Sequence, residues 1–294
     1  MPLDKDRPCV TSVPLNKDRP CVTSAANPGI RRVRALQTKG RTRREEQAFV
    51  TEGLRLYLDA PAGALEQVYV SKTFLDTAQQ AFADRAAVYG RLTRRLEETG
   101  CTVVSDDVFA GMSDTETPQG VLCVARMPVY GEKDLLPGDG AAPLLLLLED
   151  IQDPGNLGTI FRTAEAAGVT GIVMTRGTVD LFNPKTVRAT MGSVFRMPFL
   201  QTEDLPALAG RLRSSGISVF AAHLAGSTDY DAADYTKGAA FLIGNEGNGL
   251  SEKAAAAADT LLRIPMRGQI ESLNAAMAAG ILVYEAYRQR RFSG

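Results

Sequence analysis

Short, unbroken apolar runs recur through the second half of the chain, at 144–148, 171–174, 218–222, 240–243 and 260–264. They are too short for core helices and lack the alternation of a half-exposed strand, so they read as strands buried on both faces. Between them, apolar positions take helical spacing at 157–167, 183–191, 205–214 and 252–257, and a final helix is expected over about 273–290. Strand and helix in alternation predict an α/β unit whose parallel sheet is covered on both faces. Ligands of such sheets bind at the carboxyl ends of the strands.

The first half has a looser pattern. Strands are predicted at 65–70, 101–104 and 121–125, and helices at 54–58 and 74–96, the second broken near Gly90. Breakers then accumulate at Pro128, Gly131, Pro137, Gly138, Gly140 and Pro143, which marks a boundary. At the start of the chain, 2–12 reads PLDKDRPCVTS and 14–24 reads PLNKDRPCVTS. Two polar, Pro-containing copies are too few for a solenoid and read as a disordered tail. The predicted organisation is a tail at 1–29, a smaller α/β domain at 30–127, a linker at 128–142 and a larger α/β domain at 143–294.

Charge and cysteine content narrow the function classes. Lys and Arg number 33 against 34 Asp and Glu, so a globally basic nucleic-acid binder is excluded. A local patch is not: 30–44 carries Arg31, Arg32, Arg34, Lys39, Arg41, Arg43 and Arg44 and no acid. That is either a solvated helix face with a loop at Gly40 or a phosphate-binding surface; self-repulsion in a neutral protein favours an anionic partner. Cys9, Cys21, Cys101 and Cys123 form no CxxC pair, and His223 is the single histidine, so neither a disulfide framework nor a multi-His metal site is expected. No apolar run approaches the roughly 20 residues of a membrane span, and no signal peptide is legible. A reducing cytoplasm is the expected compartment.

Three loops after predicted strands carry the candidate chemistry. The first runs from Glu149 to Arg162, with Asn156 as a candidate helix cap. The second, Gly244-Asn-Glu-Gly-Asn-Gly-Leu-Ser251, is neither GxGxxG nor a P-loop, and Ser251 suits a helix cap. The third passes from Ile264-Pro265-Met266 to Ser272-Leu273-Asn274 and an Ala-rich helix. Each alone reads equally as an ordinary loop–helix junction. His223 ends a strand, Asn183-Pro184-Lys185 with Arg188 is either an RNA-facing surface or a capped helix, and Cys101 and Cys123 read as small core residues.

Together, Asn156-x-Gly158-x-x-x-Arg162, Gly244 to Ser251, and Ile264-Pro-Met266 with Ser272-Leu-Asn274 resemble the SpoU (TrmH) branch of the SPOUT methyltransferases over about 143–291. The basic opening and Phe49-Val-Thr-Glu-Gly53 make 30–127 resemble the L30e-like substrate-binding domain of rRNA-modifying members. The resemblance implies a deep trefoil knot, S-adenosylmethionine as cofactor, no metal, a homodimer with the active site at its interface, and methyl transfer to a ribose 2′-hydroxyl, with 23S rRNA favoured over tRNA. It further implies a catalytic set of Arg162, Asn156, Glu246, Ser272 and Asn274. The implied cofactor loops comprise Leu242, Ile243, Gly244, Asn245, Gly247, Ile264, Pro265, Met266, Ser272, Leu273 and Asn274, and the seven basic residues of 30–44 would meet RNA. A non-catalytic RNA-binding factor on the same fold is the rival reading.

Overall fold

The computed structural model describes residues 20–138 and 140–292. The first repeat copy and most of the second lie outside the described residues. The chain forms two compact units that divide between Pro128 and Val129.

The first unit contains β1 (Cys21–Val22), α1 (Pro28–Thr38), α2 (Gly40–Glu46), β2 (Ala48–Glu52), α3 (Leu54–Asp59), β3 (Leu65–Ser71), α4 (Lys72–Ala81), α5 (Ala86–Thr99), β4 (Thr102–Val104), α6 (Asp106–Met112) and β5 (Val121–Arg126). The five strands form one mixed sheet in the order β1-β4-β3-β5-β2. Alternation along the strands builds two cores. Tyr69, Val104, Leu122 and Val124 meet Ile30, Val33, Leu36 and Phe109 on one face. Val68, Val70, Val103, Val121 and Cys123 meet Tyr57, Leu92 and Leu96 on the other.

Two expectations change here. The tail expected over 1–29 is ordered from its end inward: Cys21 and Val22 pair in parallel with Val103 and Val104, and Asn27 caps α1 by accepting from Gly29 N–H. The helix expected over 74–96 divides at 82–85, not at Gly90, which lies inside α5 with open space where a Cβ would be. Polar, weakly apolar chain around Asp84 and Arg85 offers no face to bury there, whereas Leu92 and Leu96 anchor α5.

The second unit contains β6 (Leu144–Leu148), α7 (Pro154–Ala166), β7 (Gly171–Thr175), α8 (Pro184–Ala189), β8 (Phe199–Thr202), α9 (Leu205–Ser214), β9 (Ser218–Ala222), β10 (Thr228–Asp229), β11 (Ala239–Ile243), α10 (Glu252–Ala256), β12 (Thr260–Arg263) and α11 (Ala275–Phe292). Its seven strands are all parallel, in the order β10-β12-β9-β11-β6-β7-β8. Leu145 and Leu147 face a core with Leu205, Leu208 and Ala254, while α11 packs against α7 and β11. The breaker-rich segment at 128–142 is built into this unit: Leu135 is buried in that core, Gly171 leaves room for it, and the Tyr130 ring meets Phe199 edge-on. Arg290 lies in the last turn of α11. Its guanidinium donates to the carbonyls of Ala142, Pro143, Tyr235 and Lys237, fastening α11 to two loops.

Candidate active site

Strands β12, β9, β11 and β6 are neighbours and parallel, so the loops leaving their carboxyl ends emerge side by side. Ile243 lies opposite Leu148, and Glu149 N–H donates to the Ile243 carbonyl at 2.9 Å. The loops after β6 and β11 therefore start in register. Two hydrogen bonds then join them: Ser251 donates to the Glu149 carboxylate through both N–H and Oγ, each at 2.7 Å.

Glu246 is the hub. Its Oε2 accepts from Gln152 N–H at 3.0 Å, and its Oε1 from Asp153 N–H at 3.1 Å and Asn156 Nδ2 at 2.9 Å. Partial burial pushes its pKa up, but these donors outweigh it and hold the carboxyl below the ordinary Glu range. Asn156 Oδ1 in turn accepts from Asn274 Nδ2 at 2.8 Å. Asn274 Oδ1 accepts from the N–H groups of Ala276 and Met277, which closes the first turn of α11. A continuous chain of hydrogen bonds thus ties together the loops after β6, β11 and β12.

Asn156 does this because it is not the helix cap. Asp153 is the cap, accepting from Asn156 N–H at 2.8 Å, and Pro154 opens α7. The amide of Asn156 is thereby left free to reach across to the other two loops. Asp150 adopts a left-handed φ of 52°, held by Asp150 N–H donating to Thr175 Oγ1 and Thr175 Oγ1 donating back to Asp150 Oδ1. Its carbonyl accepts from Asn245 Nδ2 at 2.8 Å, and Asn245 Oδ1 accepts from the N–H groups of Gly247 and Asn248. Glu149, Asp150, Gln152 and Asp153 are supporting residues that motif spacing did not single out. The legible signal was positional: they directly follow a buried parallel strand.

The remaining residues of the predicted set stand apart from this network. Arg162 is exposed on α7, and Ser272 is exposed in the loop before α11; neither side chain has a hydrogen-bond partner among the described residues. Leu242 and Ile243 are buried in β11, Ile264, Met266 and Leu273 are half-buried, and Pro265 is exposed. His223 Nδ1 accepts from Ala225 N–H, a local turn contact. Asn183 caps α8 by accepting from Lys185 N–H. Burial pushes the Cys123 thiol up to about 12, which leaves no thiolate for chemistry.

The loops also offer a cradle for a cofactor. A Cβ on Gly244 would lie 2.2 Å from the Gly249 carbonyl carbon, and one on Gly226 would lie 2.5 Å from the Leu262 carbonyl carbon. Only glycine allows these close passes. From Pro265 through Leu273 no backbone or side-chain group makes a hydrogen bond among the described residues, so this loop presents uncommitted main-chain donors and acceptors. Such uncharged groups beside small residues fit an adenosine and an amino-acid head. No group of His, Cys, Asp and Glu among the described residues is arranged to hold a metal ion.

Residues 143–284 match the SpoU rRNA methylase family, and residues 27–123 match the MRM3-like substrate binding domain. A Bacillus subtilis protein, 23S rRNA (guanosine(2553)-2′-O)-methyltransferase RlmP, is 40% identical over 64% of this chain and 73% of its own length. The chain belongs to the SpoU rRNA methylase family. Among solved structures, the AdoMet-bound rRNA methyltransferase from Sinorhizobium meliloti is 36% identical, with a TM-score of 0.73 over 92% of this chain and 97% of that one. The SpoU methyltransferase AviRb from Streptomyces viridochromogenes, in complex with AdoMet, is 27% identical, with a TM-score of 0.75 over 90% of this chain and 99% of that one. This SpoU protein is an S-adenosylmethionine-dependent RNA methyltransferase with a substrate-binding unit ahead of its parallel-sheet unit.

The substrate-binding unit corrects part of the predicted RNA surface. Arg43 is buried, and its Nη1 donates to the carbonyls of Leu36 and Gln37, so it ties α2 to the end of α1. Arg32 is bridged by Glu46 and Glu66 at 2.6 and 2.8 Å, and Arg41 by Glu45 at 2.6 Å. The acids that neutralise the run lie just beyond it in sequence or on β3. Arg31, Arg34, Lys39 and Arg44 remain exposed.

Proposed function

We propose that this SpoU protein methylates a ribose 2′-hydroxyl of 23S rRNA, using S-adenosylmethionine. The observation that carries the reading is the hydrogen-bonded chain from Glu246 through Asn156 to Asn274, which joins the three motif loops at the carboxyl edge of the sheet. The main chain of Leu242, Ile243, Gly244, Asn245 and Gly247, with that of Ile264, Pro265, Met266, Ser272 and Leu273, would hold the cofactor. When bound, the cofactor supplies a methyl group on an electrophilic sulfonium.

A ribose hydroxyl is a weak nucleophile that must be aligned and must pass its proton to solvent water as its oxygen takes the methyl group. The role of the Arg162 guanidinium is to grip the neighbouring phosphate and stabilise the developing alkoxide. Its uncommitted guanidinium supports that role. Glu246, ionised and fully engaged, holds Asn156, and Asn156 holds Asn274. The exposed Ser272 hydroxyl is available to substrate. Arg31, Arg34, Lys39 and Arg44 meet the RNA backbone.

The same reading includes a homodimer, a trefoil knot and a cytoplasmic location. Exposed Met277, Tyr284 and Tyr287 leave an apolar stripe on α11, and Arg162 faces outward on α7, the helix on which α11 packs. A second copy would cover the stripe and complete the site around Arg162. The close passes at Gly226 and Gly244 support the knot. No helix among the described residues is long and apolar enough to cross a membrane.

The test is labelled-methyl transfer from S-adenosylmethionine to unmodified 23S rRNA, followed by alkaline hydrolysis. An alkali-resistant labelled dinucleotide is expected. Label on a base would overturn the ribose assignment, and absence of label would overturn the substrate.

A further inference from the structure

A cleft of about 430 Å³ opens in the substrate-binding unit, in a place the motif residues do not reach. It lies where β3 and β4 deliver their carboxyl ends to α4 and α6. The half-buried Phe74 ring forms its apolar wall, backed by the core residue Phe109, with Ala110, Ser71, Asp106 and Gln119 around it. Gly120 closes one side: with φ at +81°, its hydrogen occupies the place where a Cβ would stand 2.5 Å from Phe74 Cβ.

The polar groups of the cleft exclude an anion. The N-terminal donors of α4 are already taken, since Phe74 N–H donates to Ser71 Oγ and Thr73 donates to Asp106 through N–H and Oγ1. Burial pushes the Asp106 carboxyl up, but the donors from Thr73 and Ser71 together with the charge of Lys72 outweigh it and hold it below the ordinary Asp range. What remains is a neutral edge reader. Gln119 uses its Oε1 to accept from Leu54 N–H, and its Nε2 has no partner among the described residues. Asp106 keeps lone pairs for a donor. An aromatic wall with one donor and one acceptor at its rim matches the flat face and the polar edge of a nucleobase.

Charge stands beside the cleft. Arg34 Nε donates to the Gly111 carbonyl at 3.0 Å, next to Ala110 in the wall, and Lys72 follows Ser71. The loop that carries Gln119 is fixed by Glu52, whose carboxylate accepts from Ser113 Oγ, Thr115 Oγ1 and Asp114 N–H. We infer that this cleft receives one unstacked RNA base, distinct from the methylated nucleotide, with Arg34 and Lys72 on the flanking phosphates. The inference rests on the RNA-substrate reading above and names a subsite for it.

The test uses the full chain and an RNA oligonucleotide spanning the methylated position, read by filter binding. Ala110→Trp fills the cleft from an exposed helix position. Gln119→Glu keeps the acceptor for Leu54 N–H and removes the free donor. Each should weaken RNA binding about tenfold, the loss of one base stack or one base-edge contact, with unchanged melting temperature and S-adenosylmethionine affinity. An abasic residue at one position of the RNA should cost the wild type the same factor and cost Ala110→Trp nothing further. Wild-type RNA affinity in both folded variants overturns the inference. Because the readout is RNA affinity, a wild type that binds RNA without methylating it would overturn the proposed reaction and leave the cleft to be judged by the variants.

Discussion

Asn156 illustrates how one helix position decides a site. With Asp153 as cap, Asn156 sits inside the first turn of α7, and its amide accepts from one loop and donates to another. Arg162 lies six residues further on, about a third of a turn away around the helix. Its function is therefore separable from the network. Arg162→Ala should reduce methyl transfer by at least about 100-fold, as for loss of an oxyanion donor, while S-adenosylmethionine affinity by calorimetry stays near wild type. Near-normal turnover would remove Arg162 from the chemistry. Glu246 adds a pH signature. A carboxyl held below its unfolded value contributes stability that is complete above the ordinary Glu range and is lost as pH falls through the depressed value. Cofactor binding should thus persist below the ordinary Glu range and then fail, and Glu246→Gln should remove that acid limb.

At the level of elements, Gly158 sets how close α7 approaches α8. A Cβ there would stand 2.3 Å from Ala189 Cβ and 2.9 Å from the Thr186 carbonyl oxygen. Gly158→Ala should destabilise the parallel-sheet unit by about 1–3 kcal/mol, the cost of overpacking, measured as a lower melting temperature. An unchanged melting temperature would show that α8 yields freely. Most elements were legible because their signals are local. The buried runs at 144–148 and 218–222 coincide with β6 and β9, and the helix at 205–214 coincides with α9. β8, α6 and β2 were missed. Phe199–Thr202 lies at the sheet edge without a buried run, and α6 is a short helix whose Val108, Phe109 and Met112 only make sense against α1. The site was half legible for the same reason. Asn156, Glu246 and Asn274 stand in motifs, but the groups that fix them are the backbone N–H donors of Gln152, Asp153, Ala276 and Met277 and the Asp153 carboxylate, which no motif spacing marks.

For the whole molecule, the apolar stripe on α11 carries a quantitative expectation. Met277→Glu with Tyr284→Glu should convert a dimer to a monomer in light scattering and abolish methyl transfer, while each unit keeps its melting transition. A variant that stays dimeric, or a monomer that remains active, would show that the stripe has another use. Arg290 gives the two loops beneath α11 a shared anchor, so the helix that presents the stripe is itself firmly seated.

The edge strand β1 has a further consequence. Its Cys21 and Val22 belong to the second repeat copy, and the six residues RPCVTS that contain them stand identically at 7–12. Excising Val13–Ser24 therefore splices the first copy onto Ala25 and restores the same neighbours to the sheet edge and the same approach to the Asn27 cap. Deleting Val13–Ser24 should therefore leave the melting temperature of the substrate-binding unit unchanged, whereas deleting residues 2–24 should lower it; equal melting temperatures for both would show that β1 adds nothing to the sheet. The repeat thus carries a second stretch of sequence with the side chains that β1 uses.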